Sequence, residues 1–546
     1  EWLDDLPQPI GHQRLADPFP HRQGNADQLS GHPRETSSKS LPHVRTGEVA
    51  GAAYRALLRA LDGGDPELFE QIPLGTASSI PLTNPQAGLA FDLEGPDAQA
   101  VSVPPAPRID SRENAAEMAE LYWMALMRDV PFARYGTEAI AADAAAHLTS
   151  FGPDFRGPKE GTPEAVTPRT LFRGVTRGDL QGPYVSQFLL MGNADRALGL
   201  TPQDGFVRYG AQVIDQRIRR AVPDKDYLTR YEAPPPAPPS ALQPPNWLAA
   251  QNGADYRNTD VISPDRGFIS TLRNLTTFVH FDALYQAYLN ACLILLSLSP
   301  PTPFDQGNPY IDSRTQDGFG TFGSPHVLTL VTEVATRALK AVWYQKWGVH
   351  RRLRPEEFGG RIHVHLSGLP ARPGHPAVPP GRFSQIHPDI LDTSPGSLLD
   401  RVRAANRDKR GDDTYLLPLV FPEGAPTHPA YGAGHATVAG ACVTILKAFF
   451  DESRVLPDVF VPDDSGEHLQ PDPSSPRLTV GGELDKLAAN IAIARNGAGV
   501  HWRSDYTQSV LLGEQIAIGI LEEQRLTYNE DHHFTLTRFD GTGTVI

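Results

Sequence analysis

"THPAYGAGHATVAG", Thr427 to Gly440, runs without a break into "ACVTILKAFF". From His435 onward the stretch reads as a buried helix, and what precedes it reads as a loop cornered by Gly432 and Gly434. Glycine there lets the backbone turn sharply and approach a ligand closely. The first N–H groups of such a helix have no intrahelical partner, and its dipole favours an anion at that end. Two histidines, His428 and His435, flank the glycines. Taken alone, a glycine-cornered helix start with a chance histidine explains the stretch equally well. The rest of the chain has to decide.

The chain has 546 residues, enough for a large core and one to three domains. Apolar residues make up 40% and charged residues 21%, the balance of a globular protein. A net charge of -15 argues against nucleic acid as a partner, without excluding a local cationic pocket. The two cysteines, Cys292 and Cys442, lie in apolar helical runs and read as buried free thiols. They exclude a cysteine-rich zinc site and a disulfide framework. The apolar run around 287–298 is too short and too broken to span a bilayer, so a soluble protein with no membrane partner is expected. No signal peptide is visible. The chain begins at Glu1, so a segment removed from the N-terminus, with secretion or a periplasmic location, is as compatible as a cytoplasmic one.

Hydrophobic periodicity predicts helices over 114–128, 137–148, 185–198, 205–221, 267–298, 324–349, 395–407, 434–451, 483–496 and 505–525. Strand-like alternation is scarce; "RIHVHL" (361–366) is one case. The fold class is therefore all-α. Residues 1–45 are polar and aperiodic and read as an extended arm, disordered or laid on a neighbour. A helical part over 46–231, a stiff proline-rich connector over 232–245 and a second helical part over 246–546 follow. "GFGTFG" (318–323) matches a dinucleotide fingerprint, but no strand precedes it. The acidic loop "VPDDSGEH" (461–468) lacks the ligand spacing of a calcium-binding EF-hand and reads as solvated.

Two further segments fit the first. In "KWGVHRRLRPEEFGGR", Lys346 to Arg361, helical spacing places Lys346, His350 and Arg354 within roughly 80° of one another. Pro355 is expected to stop that helix at Arg354. In "ARNGAGVHWRSDYTQS", Ala494 to Ser509, Asn496-Gly497 ends one helix and Ser504 is a candidate cap for the next. Asp505 follows His501 by four residues, close enough to accept its ring N–H and fix the tautomer. A solvated basic stripe and a capped helix junction are the bland readings of these two segments. Together the three segments assemble Lys346, Arg354 and Arg495 as cations, a helix N-terminus at Gly434, and the histidines His435 and His501. That set suits a tetrahedral oxyanion held by charge-assisted hydrogen bonds.

The order K…RP, then GH, then R…H…D resembles the vanadium-dependent haloperoxidases and, behind them, the type 2 phosphatidic acid phosphatase superfamily. The flanks "KWGVHRRLRPE", "HPAYGAGHA" and "GVHWRSD" are similar to the algal and cyanobacterial bromoperoxidase branch, and the likeness covers roughly 300 residues of the C-terminal part. The resemblance implies an all-α fold with two four-helix bundles. It implies vanadate bound covalently by His501 and neutralised by Lys346, Arg354, Arg495 and the Gly434 N–H, with phosphate competing for the same pocket. His435 would move the proton, Lys346 would polarise the peroxide, and Asp505 would support His501. His428 stands where bromoperoxidases carry histidine, which implies bromide and iodide as substrates beside hydrogen peroxide and an organic halogen acceptor. A homodimer or larger homo-oligomer is also implied. Ala433 departs from the pattern, which has serine there as a hydrogen-bond donor to vanadate. A soluble acid phosphatase working through a phosphohistidine, and a non-catalytic oxyanion-binding or scaffold protein, are the alternatives.

Overall fold

The structure, a computed structural model, describes residues 36–233, 245–298 and 303–546. Most of the proline-rich connector and residues 1–35 of the expected arm lie outside these. Residues 36–41 are buried in the protein's own core. There the Lys39 ammonium pairs with Glu356 at 3.0 Å and the Ser38 N–H donates to Glu357 at 3.1 Å.

The first half carries α1 (Gly51–Gly63), α2 (Pro66–Glu70), α3 (Arg112–Met127), α4 (Ala139–Ser150) and α5 (Trp247–Gln251). The second carries α6 (Leu272–Phe281), α7 (Gln286–Ser297), α8 (Ser324–Trp343), α9 (Pro355–Ser367) and α10 (Leu398–Arg410). It ends with α11 (Gly434–Phe449), α12 (Val480–Gly497) and α13 (Arg503–Gln524). The strands among the described residues form four separate two-stranded pairs. The fold is thus helical, and no single helix among the described residues is long and apolar enough to cross a membrane. Both cysteines are buried free thiols.

Three expectations fail locally. Residues 185–198 hold one short 3-10 turn, Gln187–Leu189. Residues 205–221 hold three short strands, two of them paired through a turn at Gly210. In both places glycine and polar residues interrupt the apolar spacing, and long-range hydrogen bonds take over. Asn490 holds the Ser186 N–H at 2.8 Å and Glu483 holds the Gln187 N–H at 2.7 Å. "RIHVHL" is helical inside α9, whose start is set by Arg354 as N-cap, Pro355 at the first position and two glutamates in the first turn. The acidic loop near 463 is the turn of a short hairpin, with Asp463 accepting from the Ser465 hydroxyl and the Glu467 N–H.

Helix α11 is the axis of the second half. Every residue from Ala436 to Phe449 is buried, and α8, α12 and α13 pack around it. Its crossing with α13 depends on two glycines facing each other. A Cβ on Gly440 would come within 2.0 Å of the Val510 carbonyl oxygen, and one on Gly513 within 2.0 Å of the Thr437 carbonyl oxygen. The two backbones touch, and neither can withdraw without moving the start of α11. Gly513→Ala should therefore cost about 1–3 kcal/mol or more through overpacking. The check is urea unfolding followed by circular dichroism; an unchanged midpoint would refute the close crossing.

Candidate active site

Helix α8 continues into a wider π-helical turn, Tyr344–His350, and then breaks at Arg351, whose φ of 46° is left-handed. The expected single helical face of Lys346, His350 and Arg354 does not form, because the chain leaves the helix at Arg351. Lys346 and Arg354 still converge, by a loop rather than by periodicity. Lys346 comes from the wide turn and Arg354 from the N-cap of α9. Both are fully buried.

Arg354 is the hub. Its Nη1 donates to the Val500 carbonyl at 2.7 Å and to His501 Nε2 at 2.9 Å. Its Nη2 donates to His428 Nδ1 at 2.9 Å, and its Nε to the His428 carbonyl at 2.9 Å. A guanidinium has no acceptor, so both ring nitrogens it touches carry lone pairs. Both imidazoles are therefore neutral. His501 must carry its proton on Nδ1, which donates to Asp505 at 2.9 Å. Burial, then the charge of Arg354 and Lys346, holds His501 well below the usual histidine range. Burial and the same two cations do so for His428.

Asp505 accepts twice more, from the Trp502 N–H at 3.0 Å and from Arg352 Nη1 at 2.9 Å. It caps α13, whose N-cap is Trp502; Ser504, expected as the cap, lies inside the helix and accepts from Arg352 at 2.8 Å. Arg352 also pairs with Glu117 on α3 at 2.8 Å. Burial pushes the Asp505 carboxyl up while Arg352 pulls it down.

On the other side stand Gly434 and His435, the first residues of α11. Ala433 is their N-cap and has no side-chain acceptor, so the helix start is uncapped. The Ala433 N–H is turned to the Ser509 hydroxyl at 2.8 Å. The ring of His435 lies 3.1 Å from Asp282, at the end of α6, through Nε2. Burial lowers its pKa and Asp282 opposes the drop.

A cavity of about 420 Å³ opens between these elements, lined by His428, Gly434, His435, Arg495 and His501 together with Trp343. A Cβ on Gly434 would be bordered by Trp343 and Leu339, which line the same space. Lys346, Arg354 and Ala433 stand behind this wall. Lys346 donates to the Pro429 carbonyl at 2.8 Å.

The charge pattern tests whether an oxyanion fits. Lys346, Arg354 and Arg495 make no ion pair with a carboxylate among the described residues, and Arg495 Nε is buried without a hydrogen-bond partner. Burial lowers all three pKa values, Arg354 to about 9, with Arg495 adding to the shift on Lys346 and Arg354. Four other buried arginines, Arg128, Arg273, Arg352 and Arg503, are each paired with a carboxylate. An anion is thus the missing partner, and the donors present are those a tetrahedral oxyanion needs.

Curated vanadium-dependent bromoperoxidases are similar to this chain over most of its length. That of Corallina pilulifera is 42% identical, over 92% of this chain and 90% of its own. That of Ascophyllum nodosum is 34% identical, over 93% and 85%. The chain belongs to the vanadium-dependent bromoperoxidase family. The family model of the VCPO second helical-bundle domain matches residues 405–529. The homohexameric structure of the second vanadate-dependent bromoperoxidase from Ascophyllum nodosum superposes with a TM-score of 0.82. It is 27% identical and covers 97% of this chain and 87% of that one.

The structure brings together Lys346, Arg354, His428, Gly434, His435, Arg495, His501 and Asp505. Sequence reasoning missed Asp282, Arg352, Glu117, Trp343 and Ser509. Glu117 had a signal: with Glu113 and Glu120 it forms an acidic stripe at helical spacing in an otherwise apolar run, "ENAAEMAELYW". Asp282 and Ser509 carry no local signal.

The depressed cations make anion binding depend on pH. In the free site burial and the charge of Arg354 make Lys346 give up its proton at lower pH than in water, and a bound anion restores it. Above the free-site pKa, binding must take up a proton, so affinity falls as pH rises. From about pH 8 to about pH 10 phosphate itself stays doubly ionised, and its dissociation constant should rise by up to about tenfold per pH unit for each proton taken up. Calorimetry in two buffers of different ionisation heat checks this. A flat affinity without proton uptake would contradict the assignment.

Proposed function

We propose that this protein is a vanadate-dependent bromoperoxidase that oxidises bromide and iodide with hydrogen peroxide. One halide, one peroxide and one proton give one hypohalous acid and one water; the acid then halogenates an organic acceptor. The observation that carries this reading is the set of three buried cations without a carboxylate partner, clustered around His501 and the uncapped start of α11. Relatives named for bromide oxidation support the choice of halide. A homo-oligomer is proposed on the homohexameric relative.

Bound vanadate supplies Lewis acidity that activates hydrogen peroxide for attack by halide. The residues of this chain hold and orient the reactants. His501 would offer the Nε2 lone pair as the single protein ligand once the Arg354 Nη1 that now donates to it at 2.9 Å turns to the anion, with Asp505 on Nδ1 keeping the tautomer and raising its basicity. Lys346, Arg354 and Arg495 offset the anion's charge in a site from which water is largely excluded, where such charges act strongly. The open amides at Gly434 add donors.

His435 holds or moves a proton at the cavity wall. Its side chain is 18% exposed, so protons pass between it and solvent, and Asp282 holds its Nε2 side. His428 stays neutral because Arg354 occupies Nδ1. Its Nε2–H is then the donor left for a halide, beside the Trp343 ring at 4.9 Å between centroids.

His501→Ala should lose vanadate retention with the fold intact, measured by vanadium content after gel filtration and by circular dichroism. His435→Ala should retain vanadate and lose roughly a hundredfold or more in bromide oxidation at saturating vanadate. Stoichiometric vanadium in the first variant, or parental turnover in the second, would overturn these roles.

Ala433→Ser should tighten vanadate binding by at most about 1.5–3 kcal/mol, the value of a hydrogen bond to a charged group. The backbone at 433 is already extended, with φ -90° and ψ 122°, as an N-cap serine requires. A vanadate titration of the apo-protein in phosphate-free buffer, read by bromination, decides. An unchanged or weaker half-saturation would show that position 433 does not reach the anion.

A further inference from the structure

We propose that Asp260, His280 and Glu423 form a binding site for a zinc-class divalent cation on the wall of the active cavity. The three residues come from three separate segments: the loop before the strand Ile262–Gly267, the last turn of α6, and the loop that follows Phe421. One donor atom from each lies within 4.8 Å of the others. His280 Nε2 is 3.6 Å from Asp260 Oδ1 and 3.6 Å from Glu423 Oε1.

Those distances are too long for hydrogen bonds, which in proteins close at about 2.7–3.2 Å for N–H···O. They are the spacing of ligands around one ion. A metal about 2.1 Å from the histidine nitrogen and from either carboxylate oxygen would see that pair, 3.6 Å apart, at an angle of about 118°, near the tetrahedral and trigonal values. One imidazole with two carboxylates suits zinc or a similar borderline ion better than calcium, which takes six to eight oxygens.

The surroundings point the same way. The three side chains are 12% to 17% exposed, so two carboxylates are brought together away from bulk water. Glu423 Oε2 is buried with no hydrogen-bond partner. His280 is held by a face-to-face stack on Phe421, with centroids 3.7 Å apart and planes 12° apart, which aims Nε2 at the carboxylates. A cation there would satisfy all three groups at once. His280 and Glu423 line the active cavity, and Asp260 lines the adjoining pocket that His280 shares.

The site also has a route to the oxyanion pocket. Phe421, whose ring carries His280, lies 5.7 Å from the Arg495 guanidinium. An ion on the triad would clamp the end of α6 to the 421–425 loop and so hold the ring beneath Arg495.

The test is metal binding to the whole purified protein, wild type against Asp260→Asn and Glu423→Gln, which preserve shape and remove a charged ligand. Zn²⁺ is titrated by calorimetry, and Co²⁺ is used as a visible probe of low-symmetry coordination. Wild type should take up one Zn²⁺ per chain at this site, melt at a higher temperature with it, and show intense Co²⁺ visible absorption. Each variant should bind Zn²⁺ roughly tenfold or more weakly and lose that absorption. His280→Gln is a third variant, for the case that one of the others fails to fold. Zn²⁺ binding that is absent from wild type, or equal in wild type and the folded variants, overturns the proposal. So does equal stabilisation by Ca²⁺ that persists in the variants. Vanadate half-saturation is measured alongside; a variant that loses zinc and keeps vanadate separates this site from the oxyanion pocket.

Discussion

Asp505 accepts hydrogen bonds from Arg352, from the Trp502 backbone and from His501. Each bond ties a different part of the molecule to the same carboxylate. The Trp502 bond starts α13, the helix whose glycine contact positions α11. The Arg352 bond reaches through Glu117 to α3, so the first half of the chain is anchored to the second at this point. The His501 bond fixes the tautomer that leaves Nε2 with a lone pair. Removing the carboxylate would leave Arg352 short of a partner and His501 free to carry its proton on either nitrogen. The first effect concerns stability, because Arg352 would keep Glu117 but lose one of its two buried counter-ions. The second concerns chemistry.

Beside this satisfied network the protein keeps a set of charges deliberately unsatisfied. Lys346, Arg354 and Arg495 are buried like Arg352 but among the described residues touch carbonyls, neutral histidines and an aromatic ring, with carboxylates acting on them only from beyond hydrogen-bond distance. Burying an ion without its counter-ion costs several kcal/mol even after relaxation. The fold bears that cost because the surrounding helices fix the loops that carry the three cations. Arg354 illustrates how: each of its three nitrogens is engaged by the 428 or 500–501 segment, so it cannot swing toward solvent. The strain is relieved when an oxyanion arrives, and the same terms that depress the free-site pKa values become binding free energy.

Much of this was legible in the sequence, for an identifiable reason. The site residues sit in three short segments whose local spacing is itself chemical: glycine before a helix start, histidine four residues before a carboxylate, arginine before proline. Spacing failed where the backbone left regular geometry. The π-helical turn and the left-handed Arg351 undo the helical face drawn through Lys346 and Arg354, although the residues still meet. Residues 185–221 have enough apolar character for helix, but their hydrogen bonds go to Glu483, Asn490 and one another, which no local window contains. The partners that tune the site, Asp282, Glu117 and Ser509, are single polar residues brought in from 76 to 387 positions away. A lone acid at a helix end has no pattern to recognise.

The cavity has a charge gradient that follows from this arrangement. Its depth is cationic, with Arg495 on the wall and Lys346 and Arg354 behind it, while Asp282 and Glu423 stand along its sides with Asp260 close by. Halide and peroxide-derived products pass these carboxylates and the exposed Arg257, which lines the same cavity and pairs with Asp255, on the way to or from the cations. The carboxylates along the sides repel halide and the positive depth slows its release, so the two oppose each other along the path. Neutral hydrogen peroxide is unaffected by either. Asp282 is committed to His435, whose proton shares in its charge. Asp260 and Glu423 share one histidine, His280, 3.6 Å from each, so their joint charge is offset in part at most unless a cation sits between them. The traffic of anions through this cavity is therefore governed as much by what neutralises the rim as by the cations that hold the oxyanion at its base.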